Sequence, residues 1–148
     1  MARPDILRGT YVNILVSDGA APAVFTPLCG ITTRDLTDQI NTQDAFVRDC
    51  ADPEEVPTRS VIGTGRQWDM TGSGWMNRAT LADVDALMGA LEEYRFEILE
   101  PADDKVYGGY YSGIGMLTQK KITGEDGDFV KLDITIASDG PWVWTTVP

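Results

Sequence analysis

The side chains best suited to chemistry in this sequence are carboxylates, and they concentrate in two stretches, "ADPEE" (51–55) and "GEDGDF" (124–129). Oxygen ligands at short spacing can take Ca²⁺, but neither stretch has the full EF-hand spacing with its terminal glutamate. Acids beside glycine and proline also make ordinary solvated turns, and that chemistry accounts for both. Two acids could converge into the carboxylate pair of a glycoside hydrolase, yet nothing in their order marks a particular pair. The chain contains no histidine, so Ser-His-Asp and Cys-His arrangements and His-ligated metals are excluded. "GTGRQW" (63–68) has two glycines but leads into a strand, not into the helix N-terminus that a phosphate loop requires.

Other reactive types are sparse. Cys29 and Cys50 lie too far apart for a CxxC redox or zinc motif, and in a cytoplasmic chain they are expected as free, partly buried thiols. Trp75, Trp142 and Trp144 could form a stacking platform for a carbohydrate. Trp142 and Trp144 share one strand face with no polar cluster beside them, which favours packing in a core or between subunits. No cofactor or metal is implied.

The elements that position these residues are mostly strands. At 148 residues the chain suits one domain, 1–148, with its own core. No apolar run approaches the roughly 18 to 20 residues of a membrane span. The N-terminus lacks a signal-peptide pattern, so a cytoplasmic site of synthesis and folding is expected. The net charge is −11, from 23 acidic and 12 basic residues, and Lys120-Lys121 is the only adjacent basic pair. That balance argues against binding nucleic acid by neutralising phosphates. It favours solubility, and it suits a surface that stays near DNA without sticking to it.

Residues 10–18 predict a first strand. A second extended piece follows with Val24, Phe25 and Leu28 to bury, then a strand through "CGITTRDLTDQ". Residues 41–65 break the pattern. Pro53 and Pro57 exclude a central strand there, and a connection this long exceeds the roughly 12 to 15 residues beyond which loops are uncommon. Its apolar residues Phe46, Val47, Val56 and Ile62 suggest docking on a partner, against the alternative of folding back on its own domain. Residues 66–76 predict a strand with Trp68, Met70, Gly72 and Gly74 on its inward face.

Residues 80–93 predict one helix, with an apolar stripe of Leu81, Val84, Leu87, Met88 and Leu91. Thr80 and Asp83 suggest a capping box, Asp83 and Asp85 favour the first turns, and Gly89 would weaken the interior. A strand over 94–100 follows, ended by Pro101. Next come a glycine-rich strand at 106–123 with an expected bulge, a turn at 124–128, and a strand burying Val130, Leu132, Ile134 and Ile136. The expected fold is mainly β (α+β), an antiparallel β-sandwich or barrel with one α-helix packed on it and a long loop between early strands.

This order of pieces resembles the major tail tube proteins of long-tailed bacteriophages and phage-like gene transfer agents. The resemblance covers residues from about 10 to 145. "CGITTRDLTDQINTQD" resembles the family's Thr/Ser-rich strand entering the long loop, and "GRQWDMTGSGWM" its aromatic-x-hydrophobic-x-Gly-x-Gly strand. "ADVDALMGALEEYRFEI" resembles its helix running into a strand, and "YYSGIGMLTQKKITGEDGDFVKLDITIASDGPWVW" its closing hairpin.

The resemblance implies a non-enzymatic virion protein that forms hexameric rings, stacked head to tail into a hollow tube for genome delivery. It implies partners as well: other copies of the chain, a tape measure protein in the lumen, and a terminator and distal tail or baseplate proteins at the ends. DNA would pass without specific binding, and no membrane is involved. The loop residues Phe46, Val47, Arg48, Asp49, Asp52, Glu54, Glu55, Val56 and Arg59 are then candidates for contacts between rings and subunits. Asp35, Asp38, Asp69, Lys131 and Asp133 are candidates to face the lumen, where carboxylates would repel phosphate. Inner and outer faces differ by one residue of register, so the choice among these five stays open. The competing readings are a tube protein of a contractile injection or secretion system, a monomeric β-sandwich module binding carbohydrate through its tryptophans, and an enzyme with an acidic site.

Overall fold

Alternating side chains build most of this molecule, because a pleated strand sends successive residues to opposite faces. The computed structural model describes residues 9–19, 24–28, 30–102 and 105–146. After a 3-10 turn at Gly9–Tyr11 come β1 (Val12–Ser17), β2 (Phe25–Pro27), β3 (Ile31–Val47), β4 (Thr58–Trp75), α1 (Arg78–Leu87), β5 (Leu91–Ala102), β6 (Lys105–Thr123) and β7 (Lys131–Thr146). Cys29 lies outside the described residues. Cys50 is free as expected but exposed, not partly buried, because it stands in the solvated turn after β3.

The strands form one antiparallel sheet in the order β2-β1-β5-β6-β7-β4-β3. β6 serves both halves. It pairs with β5 as far as Met116 and with β7 as far as Thr123, with register shifts at Gly113/Gly115 and Leu117/Gln119. Such irregularities bend a strand, as the glycine content led us to expect. The sheet folds over so that Ile14, Val16, Tyr94 and Phe96 from one half meet Trp68, Met70, Leu132, Ile134 and Ile136 from the other. Among the described residues the sheet does not close and there is one α-helix, so the architecture is an open, sandwich-like antiparallel fold with a helix on it.

Trp68 stands at the centre of this core. It is 1% exposed, and its Nε1 donates to the Gly140 carbonyl at 3.1 Å. A Cβ built on Gly113 would stand 2.6 Å from the Trp68 ring, so only glycine lets β6 pass so close. Burying about 200 Å² of ring at about 25 cal/mol/Å² contributes roughly 5 kcal/mol before entropy.

Several sequence expectations are corrected. Asn77, not Thr80, caps α1, and its Oδ1 accepts from the Ala79 N–H at 3.0 Å. Asn is at least as good a cap as Thr. Asp83 and Asp85 therefore fall beyond the first turn, and Thr80 is buried. The helix stops at Leu87 because Gly89 adopts φ +75° and donates its N–H to the Leu117 carbonyl. Gly89 terminates the helix and does not weaken its interior. Met88 and Leu91 lie past the end, exposed, while Val84 is fully buried.

Pro101 does not end its strand; it pairs with Val106 inside β5. β1 pairs with β5 only from Tyr94 to Ile98, so Pro101 lies where β5 is an edge and its missing N–H breaks no second ladder. Val130, expected in the core, sits in the turn before β7 and is exposed.

The largest departure concerns residues 41–65. They are not a loop. β3 and β4 pair rung by rung from Asn41↔Gly65 to Val47↔Thr58, with one register shift at Asn41/Thr42. Pro53 and Pro57 exclude a strand only where they stand, in the connection after Val47.

Candidate assembly surfaces

The β3–β4 pair outruns the rest of the sheet. β7 supports β4 only from Asp69 to Trp75, and beyond Asp69 the ladder partner of β4 is β3 alone among the described residues. An arm two strands wide therefore leaves the body. At about 3.3 Å per residue it extends roughly 30–35 Å. Its residues from Thr37 to Val47 and from Thr58 to Arg66 are all exposed.

The arm has two chemically different faces. Asp38, Ile40, Asp44 and Phe46, with Arg59, Val61 and Arg66 opposite, continue the face that carries buried Trp68 and Met70. On this face apolar side chains alternate with ion pairs. Arg66 Nη2 meets Asp38 Oδ2 at 2.6 Å, and Arg59 Nη2 meets Asp44 Oδ2 at 3.0 Å. Hydrogen bonds from Arg66 hold the Asp38 carboxyl below its usual range, and Asp38 holds Arg66 above its own. The other face is amide-rich. Asn41 Nδ2 donates to Gln67 Oε1 at 3.3 Å, and Gln67 Nε2 donates to Asp69 Oδ2 at 3.1 Å.

The turn at the arm's end holds Arg48, Asp49, Asp52, Glu54, Glu55 and Val56. Asp49 Oδ1 accepts from the Ala51 N–H at 2.9 Å, and the Glu55 N–H donates to the Asp52 carbonyl at 3.2 Å. Phe46 and Val47, the last residues of β3, point to opposite faces, and Phe46, Val47 and Val56 are all exposed. The structure thus gathers the nine loop candidates at one end of the molecule.

The body presents a polar sheet face on the amide-rich side. Register puts Asp35 beside Thr71, Asp69 beside Thr37, Asp133 between Ser73 and Lys121, and Lys131 beside Trp75. Asp35, Asp69, Lys131 and Asp133 therefore share this face. Asp38 does not: it pairs with Trp68 and lies on the opposite side.

The tryptophans divide. Trp142 stacks on Tyr111 with centroids 3.9 Å apart and on Trp68 at 6.2 Å. Trp144 continues that row, tilted on Tyr111 at 4.5 Å and partly exposed. Trp75, at the far end of β4, meets Phe129 edge to face. These stacks favour the packing reading over a sugar platform. In the carboxylate-rich turn, Asp128 accepts from the Phe129 N–H at 2.8 Å and lies 3.8 Å from Lys131.

Sequence reasoning passed over Arg66, Lys121 and the cross-strand ion pairs. The signal was present: β-branched residues and alternation run through "TRSVIGTG" (58–65), and once the strands are paired Arg66 and Arg59 lie diagonally across from Asp38 and Asp44.

A family model described as "Phage tail tube protein" matches residues 7–143. No curated protein matches the chain. Among solved structures, a chain of the virion of a native gene transfer agent particle aligns with TM-score 0.70 and 16% identity, covering 95% of this chain and 99% of that one. A chain of the tail of an empty gene transfer agent particle, computed with helical refinement and C6 symmetry, gives TM-score 0.71 and 17% identity over 95% of this chain and 99% of that one. The SPP1 tail tube gives TM-score 0.68 and 13% identity over 95% of this chain and 80% of that one. At these identities the structures share the fold.

Proposed function

Because the chain belongs to the phage tail tube protein family, we propose that it is a structural virion subunit whose copies close into six-membered rings. The rings stack into a hollow tail tube, and the genome passes through the channel. The family match over residues 7–143 carries this reading. The C6 symmetry of the gene transfer agent tail that shares its fold supports the count of six. The role is non-catalytic.

The sheet supplies a way to build the ring. Beyond Leu117, β6 has β7 on one side and an open edge on the other, and β3 leaves its outer edge open. Neighbours in the order β6-β7-β4-β3 alternate in direction, so β3 and β6 run opposite ways. The β3 of one copy can therefore add to the β6 of the next in antiparallel pairing, and repetition closes a barrel with no free edge.

In that barrel the core-facing side points to the outer half-sheet, and the polar face lines the channel. Asp35, Asp69, Lys131 and Asp133 then meet the lumen, and Asp38 does not. Three carboxylates against Lys121 and Lys131 leave the face weakly acidic, which suits passage of phosphate without binding. The arm, with Phe46, Val47, Val56, Arg59 and the acidic turn, reaches the neighbouring ring. A tape measure protein occupies the lumen during assembly in the host cytoplasm, and terminator and distal tail proteins bound the ends.

Native mass spectrometry of assembled rings tests the ring count. Six copies per ring are expected; another stable number, or no ring, contradicts the reading.

A further inference from the structure

β4 has an exposed apolar surface at each of its two ends. Thr58, its first residue, adjoins the arm's end, where Phe46, Val47 and Val56 are exposed. Trp75, its last, lies at the opposite end of the sheet. The extended strand of 18 residues separates the two by roughly 55 Å.

At the far end Trp75 is 44% exposed and Phe129 is 77% exposed, and their rings meet edge to face at 6.0 Å. Both stand on fixed backbone. The Trp75 N–H donates to the Gly30 carbonyl at 3.0 Å, and the Met76 N–H donates to the Val130 carbonyl at 2.8 Å. Lys131 Nζ lies 5.7 Å from the Trp75 ring centroid. The two rings leave roughly 250 Å² of aromatic surface open.

The geometry points to the Trp75–Phe129 pair as the seat for the arm end of a second copy of this chain, in the adjacent ring. This inference rests on the tube reading above. In a head-to-tail stack, each copy presents one end to the opposite end of the next. The arm end and the aromatic pair are those two ends. A two-stranded ribbon is marginal in water unless its apolar side is covered, and aromatic rings suit Phe46, Val47 and Val56.

The test is cross-linking of tubes assembled with the co-encoded tail proteins from a chain carrying Cys29→Ser and Asp126→Cys, the latter in the exposed turn beside the seat. The native Cys50 in the arm's turn is the second thiol, and a short bis-maleimide is the probe. The expected result is a ladder of linked multimers that requires both thiols and disappears with Cys50→Ser. Tubes without a ladder, or a ladder that survives Cys50→Ser, overturn the seat. Phe129→Asp gives a second measure, because an exposed turn residue can be charged without loss of the fold. Rings should persist while tube length falls at least tenfold; full-length tubes overturn the proposal. If the unaltered chain forms no rings with the same partners, the tube reading fails and the seat fails with it.

Discussion

Arg66 grips Asp38 through two hydrogen bonds, Nε to Oδ1 at 3.0 Å and Nη2 to Oδ2 at 2.6 Å. This pair lies just beyond Asp69↔Ala137, the last rung at which β7 supports β4. Below it, three or more strands and a core hold the chain; above it, two strands stand alone. The grip ties the two strands to each other at the base of the arm.

The pair makes the arm sensitive to acid. The Asp38 carboxyl is held low, so its contribution is present above the ordinary carboxylate range and is lost as pH falls through the lowered value. Amide exchange in residues 38–47 and 58–66 is expected to accelerate below pH ~4 before the core loosens. Asp38→Asn should produce the same loosening at neutral pH. Equal protection of arm and core down to global unfolding contradicts this.

Deleting residues 44–59 should leave a folded subunit that no longer polymerises. The cut leaves Ser60-Val61 as a two-residue turn between Gln43 and Ile62, which are already cross-strand partners. The melting temperature should move by only a few degrees, since no core residue is removed. Normal tubes from this variant remove the arm from assembly.

Gly72→Val should destabilise the fold by about 1–3 kcal/mol through crowding. A Cβ at Gly72 stands 3.0 Å from Ile31 Cγ2 and 3.4 Å from Ile134 Cγ1 before the two valine methyls are added. Chemical denaturation measures the change; an unaltered midpoint refutes the packing role.

Tyr94 predicts an alkaline limit. It is wholly buried, its hydroxyl has no hydrogen-bond partner among the described residues, and burial pushes its pKa up to about 12. The folded state therefore holds this proton more tightly than the unfolded state does. Stability is complete below pH ~10 and falls as pH rises toward the folded value. Tyr94→Phe should flatten that fall in melts taken across the range, with a neutral or slightly favourable effect at pH 7, because it removes an unsatisfied buried group. An equally steep fall in the variant contradicts the assignment.

How much of this could be read from the residues depends on what each signal competes with. The alternation around Trp68 and Met70, the helix near Val84 and the closing hairpin were legible, because burial on one face writes a period into the sequence. The arm was not. Its residues face solvent on both sides, so Gln39, Asn41, Gln43 and Ala45 show no apolar period, and two prolines close together make the whole stretch read as loop. The helix ended early because the positive φ of Gly89 outweighed the apolar spacing of Met88 and Leu91. The five lumen candidates could not be sorted by sheet face from the sequence. The Asp38↔Trp68 rung sorts them by face, tying Asp38 to the buried side and leaving Asp35 and Asp69 on the other.

The central claim is assembly. Negative-stain electron microscopy of the purified chain at high concentration, alone and with its co-encoded tail proteins, tests it most directly. Stacked hollow rings are the predicted result. Monomers that persist with every partner present would contradict it.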